Sequence, residues 1–248
     1  MFCAFAIQIG TNFANDYFDF VKGADTDDRI GFERATSSGA VNPKSMLRAT
    51  TITMFVAFLA GLYLVWIGGW VVLWIGLLSH LSRILYTGGP FPLGYNGLGD
   101  IFVFIFFGFV AVMGTTYVNT LEWEMHAFWA SIPVGALCVN ILVVNNLRDV
   151  EQDKVSGKRT LGVLFGENAL KIEYVIMIAL AYLTPVFFYH ILDYSIFIML
   201  PYLSLFFAWN LNKEVWYHED KRTLNNTLER TSKLMIVYGF LFAAGLIL

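Results

Sequence analysis

Two polar stretches interrupt an otherwise apolar chain, and both carry carboxylates at helical spacing. The first reads Asn12-Phe-Ala-Asn15-Asp16-Tyr-Phe-Asp19-Phe-Val-Lys22-Gly23-Ala-Asp25. On a helix, Asn12, Asp16 and Asp19 fall at i, i+4 and i+7 and share one face. The second reads Asn145-Asn146-Leu-Arg148-Asp149-Val-Glu151-Gln-Asp153-Lys154-Val-Ser-Gly157-Lys158-Arg159-Thr160. There Asn145, Asp149 and Asp153 form one stripe at i, i+4 and i+8, and Glu151 points elsewhere. Bare carboxylates side by side repel each other unless a cation neutralises them. Mg²⁺ is the natural ion, because it takes one or two carboxylates together with water and phosphate oxygens. Taken singly, each stretch is equally well a solvated charged helix end, with Asp16 paired to Lys22 in the first and local ion pairs in the second.

The pair says more than either part. Asn-x₃-Asp occurs at 12–16 and again at 145–149, each time at the end of an apolar run, with a second Asp within four residues and then Lys or Arg. This is a weak internal repeat in which two half-bundles each offer one carboxylate pair. Two such pairs facing one cavity hold two Mg²⁺ ions around a diphosphate, and Lys22, Arg148, Lys158 and Arg159 reach its remaining oxygens. The chemistry that needs this is ionisation of an allylic diphosphate, whose leaving group must be neutralised. The resulting carbocation must be kept from water, which an apolar, aromatic-lined cavity does. The chain has 23 Phe, 12 Tyr and 7 Trp to line one.

A third segment, Tyr86-Thr87-Gly88-Gly89-Pro90-Phe-Pro92-Leu-Gly94-Tyr95-Asn-Gly97-Leu-Gly99-Asp100, is too rich in Gly and Pro for regular helix. It reads either as a lid or acceptor-ring pocket, with Tyr86 and Thr87 near the substrate, or as a structured turn. His80, His126, His190 and His218 form no cluster, and no zinc site, nucleophile triad or dinucleotide fingerprint is present.

The elements that must position these residues are membrane helices. Of 248 residues, 57% are hydrophobic and 14% charged, against about 25% charged in soluble domains. This excludes a disordered chain, a disulfide scaffold and an ordinary cytosolic globule. Cys3 and Cys138 read as small apolar residues, and a net charge of −3 gives no basic bias toward nucleic acid. The N-terminus lacks the marks of a cleavable signal peptide. Complete spans are expected near 49–68, 70–86, 101–118, 127–145, 171–190, 194–211 and 232–248. The apolar residues 1–14 cover only about 21 Å and form a stub. On this map all sixteen Lys and Arg fall on one side of the bilayer: five in 15–48, Arg83, five in 146–171 and five in 212–233. The positive-inside rule makes that side cytoplasmic, and Trp66, Trp70, Trp123, Trp129, Trp209 and Trp216 mark the interfaces. The carboxylate stretches therefore lie at the cytoplasmic face. Their position at helix ends also argues against a cation-coupled transporter, whose carboxylates sit near the midplane.

These residues resemble the UbiA superfamily of membrane prenyltransferases, most closely its 1,4-dihydroxy-2-naphthoate polyprenyltransferase branch in menaquinone synthesis. The two Asp motifs mark the superfamily, and Tyr86-Thr-Gly-Gly-Pro90 favours the naphthoate branch; relatives acting on hydroxybenzoate usually carry a different, lysine- and arginine-containing segment there. The resemblance implies an all-α bundle of nine transmembrane helices around a central cavity. It implies Mg²⁺-dependent transfer of a polyprenyl group from its diphosphate to 1,4-dihydroxy-2-naphthoate, with loss of CO₂ and formation of demethylmenaquinone at the plasma membrane. Asp16, Asp19, Asp149 and Asp153 inherit the Mg²⁺–diphosphate role, assisted by Asn12 and Asn145. Another aromatic acceptor, 4-hydroxybenzoate or a chlorin, is the alternative. Only 11 residues precede Asn12, where the family has a complete first helix and the whole of its second. The expectation is thus one transmembrane domain over 1–248 that lacks the first helix, with seven full spans plus an N-terminal stub.

Overall fold

The computed structural model describes residues 1–21, 31, 34–87 and 96–248, and only the backbone of Asp19 and of residues 80–87. The described residues are helical, with no strand among them. The chain divides into two compact units, Met1–Gly76 and Leu77–Leu248.

In the first unit the opening apolar run forms α1 (Phe2–Val21), which continues through the first polar stretch. Small residues let it lie close to α2 (Pro43–Thr87). Ala6 and Ala57 are buried, the Cys3 thiol bonds the carbonyl of Ala57 at 3.6 Å, and a Cβ on Gly10 would stand 3.1 Å from the Met54 side chain. The start of α2 is dictated locally. The Asn42 side chain accepts the amide of Lys44 at 2.9 Å, and Pro43 occupies the first helical position, where its missing N–H costs nothing. Between the two spans expected at 49–68 and 70–86, the helix is broken at Gly69 by φ 63° and ψ −151°. A Cβ makes that conformation costly.

The second unit is built around α5 (Met125–Val155). Its apolar window is 61% buried, against 33% for the next most buried span, α7 (Glu167–Ile191). Leu137, Val143, Val144 and Leu147 of α5 are fully enclosed, in one cluster with Leu170 and Tyr174 of α7 and Leu234 and Tyr238 from the C-terminal helix Leu224–Ile247. Tyr174 and Thr231 share a hydrogen bond of 3.1 Å between those two outer helices. Before α5, the stretch Gly99–Thr120 runs as α3 (Gly99–Val103), a π-helical turn (Phe104–Val110) and α4 (Ala111–Thr120). It crosses α5 where both have glycine. A Cβ on Gly135 would lie 2.9 Å from the Phe104 carbonyl oxygen, and one on Gly108 would lie 3.0 Å from the Gly135 Cα. This is the small-residue contact that membrane helices use to bring backbones together.

After α5 come the short α6 (Leu161–Phe165), α7, a 3₁₀ stretch (Ile196–Ser204), α8 (Leu205–Tyr217), a 3₁₀ turn (Lys221–Thr223) and α9 (Leu224–Ile247). Five stretches among the described residues are long and apolar enough to span a bilayer. Four of them coincide with the expected spans at 101–118, 127–145, 171–190 and 232–248, the fifth runs through 49–68 into 70–86, and 194–211 is not among them. Both 49–68 and 70–86 lie in α2, and 194–211 is 3₁₀ over its first half. Pro201 lies in that half and brings no N–H to a helical ladder. The Pro201 carbonyl accepts instead from the Ser204 hydroxyl at 2.7 Å.

Helix length carries the polar stripe out of the apolar slab. The 31 residues of α5 reach about 46 Å, and the hydrocarbon layer is about 30 Å thick. Some twenty residues from Met125 therefore bring the chain to Asn145, and Asp149 and Asp153 lie beyond. The glycine crossing yields a prediction. Gly135→Ala drives a methyl into backbone and should destabilise the detergent-solubilised protein by about 1–3 kcal/mol. Gly114→Ala, at a position with nothing within 4 Å, should leave the melting midpoint unchanged.

Candidate active site

In the first unit the stripe on α1 is anchored through Asp16. Its carboxylate is 7% exposed and accepts two backbone amides, Ala35 N–H on Oδ2 and Thr36 N–H on Oδ1, both at 3.0 Å. Those residues belong to a tight turn in which Val41 N–H bonds Ala35 O at 2.9 Å. Asp16 therefore fastens the returning chain to the end of α1 with two charge-assisted bonds. Asn12 lies exposed one turn earlier on the same face. The side chain of Asp19, and Lys22 altogether, lie outside the described residues.

In the second unit the stripe on α5 is organised by Arg148, which is 4% exposed. Its Nε donates to Asp149 Oδ1 at 2.7 Å, and its Nη2 donates to Asp149 Oδ2 at 2.7 Å and to Asn145 Oδ1 at 2.8 Å. Its Nη1 donates to Asn225 Oδ1 of α9 at 2.8 Å. A guanidinium so deep needs this many acceptors, and removing one partner from such a buried set is expensive. Asn145 and Asp149, read as neighbours on one face, are thus held by a common cation. Arg148 itself, expected to face phosphate, is spent on its own helix and on α9.

Asp153 sits one turn further and is 5% exposed. Here α5 ends in a left-handed cap. Gly157 takes φ 75°, Lys158 N–H bonds Asp153 O at 2.9 Å, and Gly157 N–H bonds Lys154 O at 3.3 Å. This pattern needs glycine at the turning position. It folds Lys158 back so that its ammonium lies 3.3 Å from Asp153 Oδ1. Arg159 is exposed, and its carbonyl faces Gly97, where a Cβ would lie 3.3 Å away. The end of the glycine-rich segment therefore abuts the turn after α5. The side chains of Tyr86 and Thr87, and residues 88–95, lie outside the described residues.

Two residues that sequence reading passed over complete this half-site. Asn225 closes the Arg148 network. Lys221 donates to the Leu147 carbonyl at 3.0 Å and pairs with Glu167, tying the starts of α7 and α9 to α5. The available signal was modest: Lys221 and Asn225 lie four apart in a basic loop placed on the same side as the motifs.

Among the described residues, no three His, Cys, Asp or Glu side chains gather around one point; Asp19 is outside that set. The donors at hand are carboxylate and amide oxygens, the hard set that suits Mg²⁺. Asp16 and Asp149 each accept two hydrogen bonds of the roughly four a carboxylate can take, so lone pairs remain for an ion. Asp149 and Asp153 are the pair that would hold one in the second unit, and Asp16 is the counterpart in the first.

The Arg148 network also sets a test. Asn225→Leu removes one acceptor from the buried guanidinium and should cost about 1–3 kcal/mol of stability. Asn226→Leu, at an exposed neighbour, should change it by less than about 0.5 kcal/mol in the same thermal melt.

A model of the UbiA prenyltransferase family matches residues 1–244. The chain is 32% identical to the 1,4-dihydroxy-2-naphthoate octaprenyltransferase of Haemophilus influenzae, over 98% of the chain and 80% of that protein. It is 35% identical to the protein of that name from Escherichia coli, again over 98% and 80%. With the Bacillus subtilis protein of that name the identity is 30%, over 100% of the chain and 80% of the relative.

Proposed function

We propose transfer of a polyprenyl group to a hydroxylated naphthoate as the activity of this chain, which belongs to the UbiA prenyltransferase family. The donor is a polyprenyl diphosphate and the acceptor is 1,4-dihydroxy-2-naphthoate. The acceptor assignment is supported by the shared name of three bacterial relatives at 30–35% identity. The observation that carries the reading is the doubled Asn-x₃-Asp pattern, with Asp16 and Asp149 each immobilised at a helix end by two hydrogen bonds or more.

In this reading the two acidic motifs face one substrate. Asp16, Asp19, Asp149 and Asp153 would hold Mg²⁺, with Asn12 and Asn145 in support. Mg²⁺ would supply positive charge to the departing diphosphate. Lys22, Lys158 and Arg159 bind the remaining phosphate oxygens, and Arg148 keeps Asp149 and Asn145 in place. The allylic C–O bond breaks and its electron pair leaves with the diphosphate. The ring carbon that bears the carboxylate attacks C1 of the prenyl cation. The carboxyl group departs as CO₂, and its bonding pair restores the aromatic ring. Apolar helices exclude water from the cation, and Tyr86 and Thr87 contact the acceptor. The protein is a multi-pass membrane protein by its five apolar helical stretches; the reaction is placed at the cytoplasmic face of the plasma membrane, where the basic loops collect.

Membranes containing the full chain, Mg²⁺ and a labelled polyprenyl diphosphate should give a prenylated product with 1,4-dihydroxy-2-naphthoate and little with 4-hydroxybenzoate. Asp149→Ala should lower the rate by about 10²-fold or more. Product from 4-hydroxybenzoate alone would contradict the acceptor, and full activity of Asp149→Ala would contradict the diphosphate site.

A further inference from the structure

A cavity of about 310 Å³ lies within the second unit, between α3 with its π-helical turn, α5 and α7. Its size is at the lower end for small-molecule sites, about 300–1,000 Å³. The motif residues Asn145, Arg148, Asp149 and Asp153 do not line it. A larger cavity of about 540 Å³ lies elsewhere, between α8 and the start of α9, and also lacks the motif aspartates.

The walls of the smaller cavity are apolar, with Ile101, Phe104, Val139 and Met177 among them, yet two carboxylates open into it, Asp100 and Glu173. Asp100 is only 5% exposed. Its Oδ1 and the Oε2 of Glu173 are both buried and have no hydrogen-bond partner among the described residues. Buried acceptors left unpaired are rare and costly. Two of them opening into one apolar pocket imply a ligand that brings its own donors.

The lining defines that ligand. An apolar wall with an aromatic ring takes a flat apolar body. Two orphan acceptors take two hydroxyl donors. Two carboxyl groups already face this cavity, so a ligand carrying a carboxylate would add a third to the same apolar space, where like charges disfavour it. We propose that this cavity binds the neutral 1,4-diol ring of a naphthoquinol, with Asp100 and Glu173 each accepting one hydroxyl. The identification of the ring rests on the naphthoate reading above. Decarboxylation removes the one group of the acceptor that this pocket rejects, so the pocket selects the transferred product over the incoming acid.

The test is direct binding of 1,4-naphthalenediol, kept reduced, to the purified full chain in detergent by calorimetry. Saturable binding is expected, weakened about tenfold or more by Asp100→Leu and by Glu173→Met, each of which removes a hydrogen-bond acceptor. Both substitutions place apolar groups against apolar walls, so the melting midpoint should hold or rise and certify the fold; Asp100→Asn, which keeps one acceptor oxygen, should lose less. 1,4-Dihydroxy-2-naphthoate should compete with the diol poorly. Diol binding that neither Asp100→Leu nor Glu173→Met weakens would overturn the proposal, and so would tighter binding of the naphthoate at the same site. The readout is binding, so failure of the unsubstituted chain to bind the diol while prenyl transfer is intact refutes this inference alone. Diol binding without prenyl transfer refutes only the reaction assigned above.

Discussion

A guanidinium buried at the end of the central helix must find an acceptor for nearly every N–H it carries, and much of the second unit is arranged around that demand. Arg148 meets it with Asp149, Asn145 and Asn225. Asp149 and Asn145 are thereby fixed to one cation, within one turn of α5. Asn225 makes α9 part of the arrangement. Lys221 then joins α5 to α7 through Leu147 and Glu167. A buried pair of this kind adds little net stability over apolar packing, but it is unforgiving of a missing partner. Its worth is geometric, because it holds a carboxylate at a helix end that would otherwise be free to turn toward solvent.

The first unit solves the same problem by another route. Asp16 takes the amides of Ala35 and Thr36 from the chain that follows α1. Both solutions stand at the ends of long apolar helices, where polar groups leave hydrocarbon and loops become affordable. In α5 the transition is set by length, since the helix outruns the bilayer and delivers its last ten residues beyond it. The Gly157 cap then returns Lys158 to Asp153. The close glycine crossing at Gly108 and Gly135 keeps α5 packed at its other end.

Much of this was legible in the residues. The apolar runs, the break near 69, the two carboxylate stripes and the family followed from period, length and motif. The capping of α5 was written in the Gly157-Lys158 pair. Other features were not readable, for physical reasons. Backbone amides that bind Asp16 have no side-chain signature, so Ala35 and Thr36 gave no signal. Asn225 is far from Arg148 in the chain, and only packing brings α9 to α5. The role of Arg148 depended on competition between phosphate and nearer acceptors, which spacing cannot decide. The 3₁₀ conformation of Ile196–Ser204 is local and short-period, and an apolar run reads the same whether its turns hold three residues or nearly four. Asp100 and Glu173 passed unnoticed because each is a lone carboxylate in its own segment, and they meet only across the groove between α3 and α7.

In the proposed function the motifs at 12–19 and 145–153 act on one diphosphate as a single metal site. Mn²⁺ in place of Mg²⁺ makes this measurable by electron paramagnetic resonance, titrating the full chain with a non-ionising prenyl thiodiphosphate present. The account predicts diphosphate-dependent Mn²⁺ binding that Asp16→Asn and Asp149→Asn each weaken for the whole bound population, because the ions share a ligand. Loss of only one portion of the bound Mn²⁺ in each variant, with the remainder at its original affinity, would show two independent sites and contradict it.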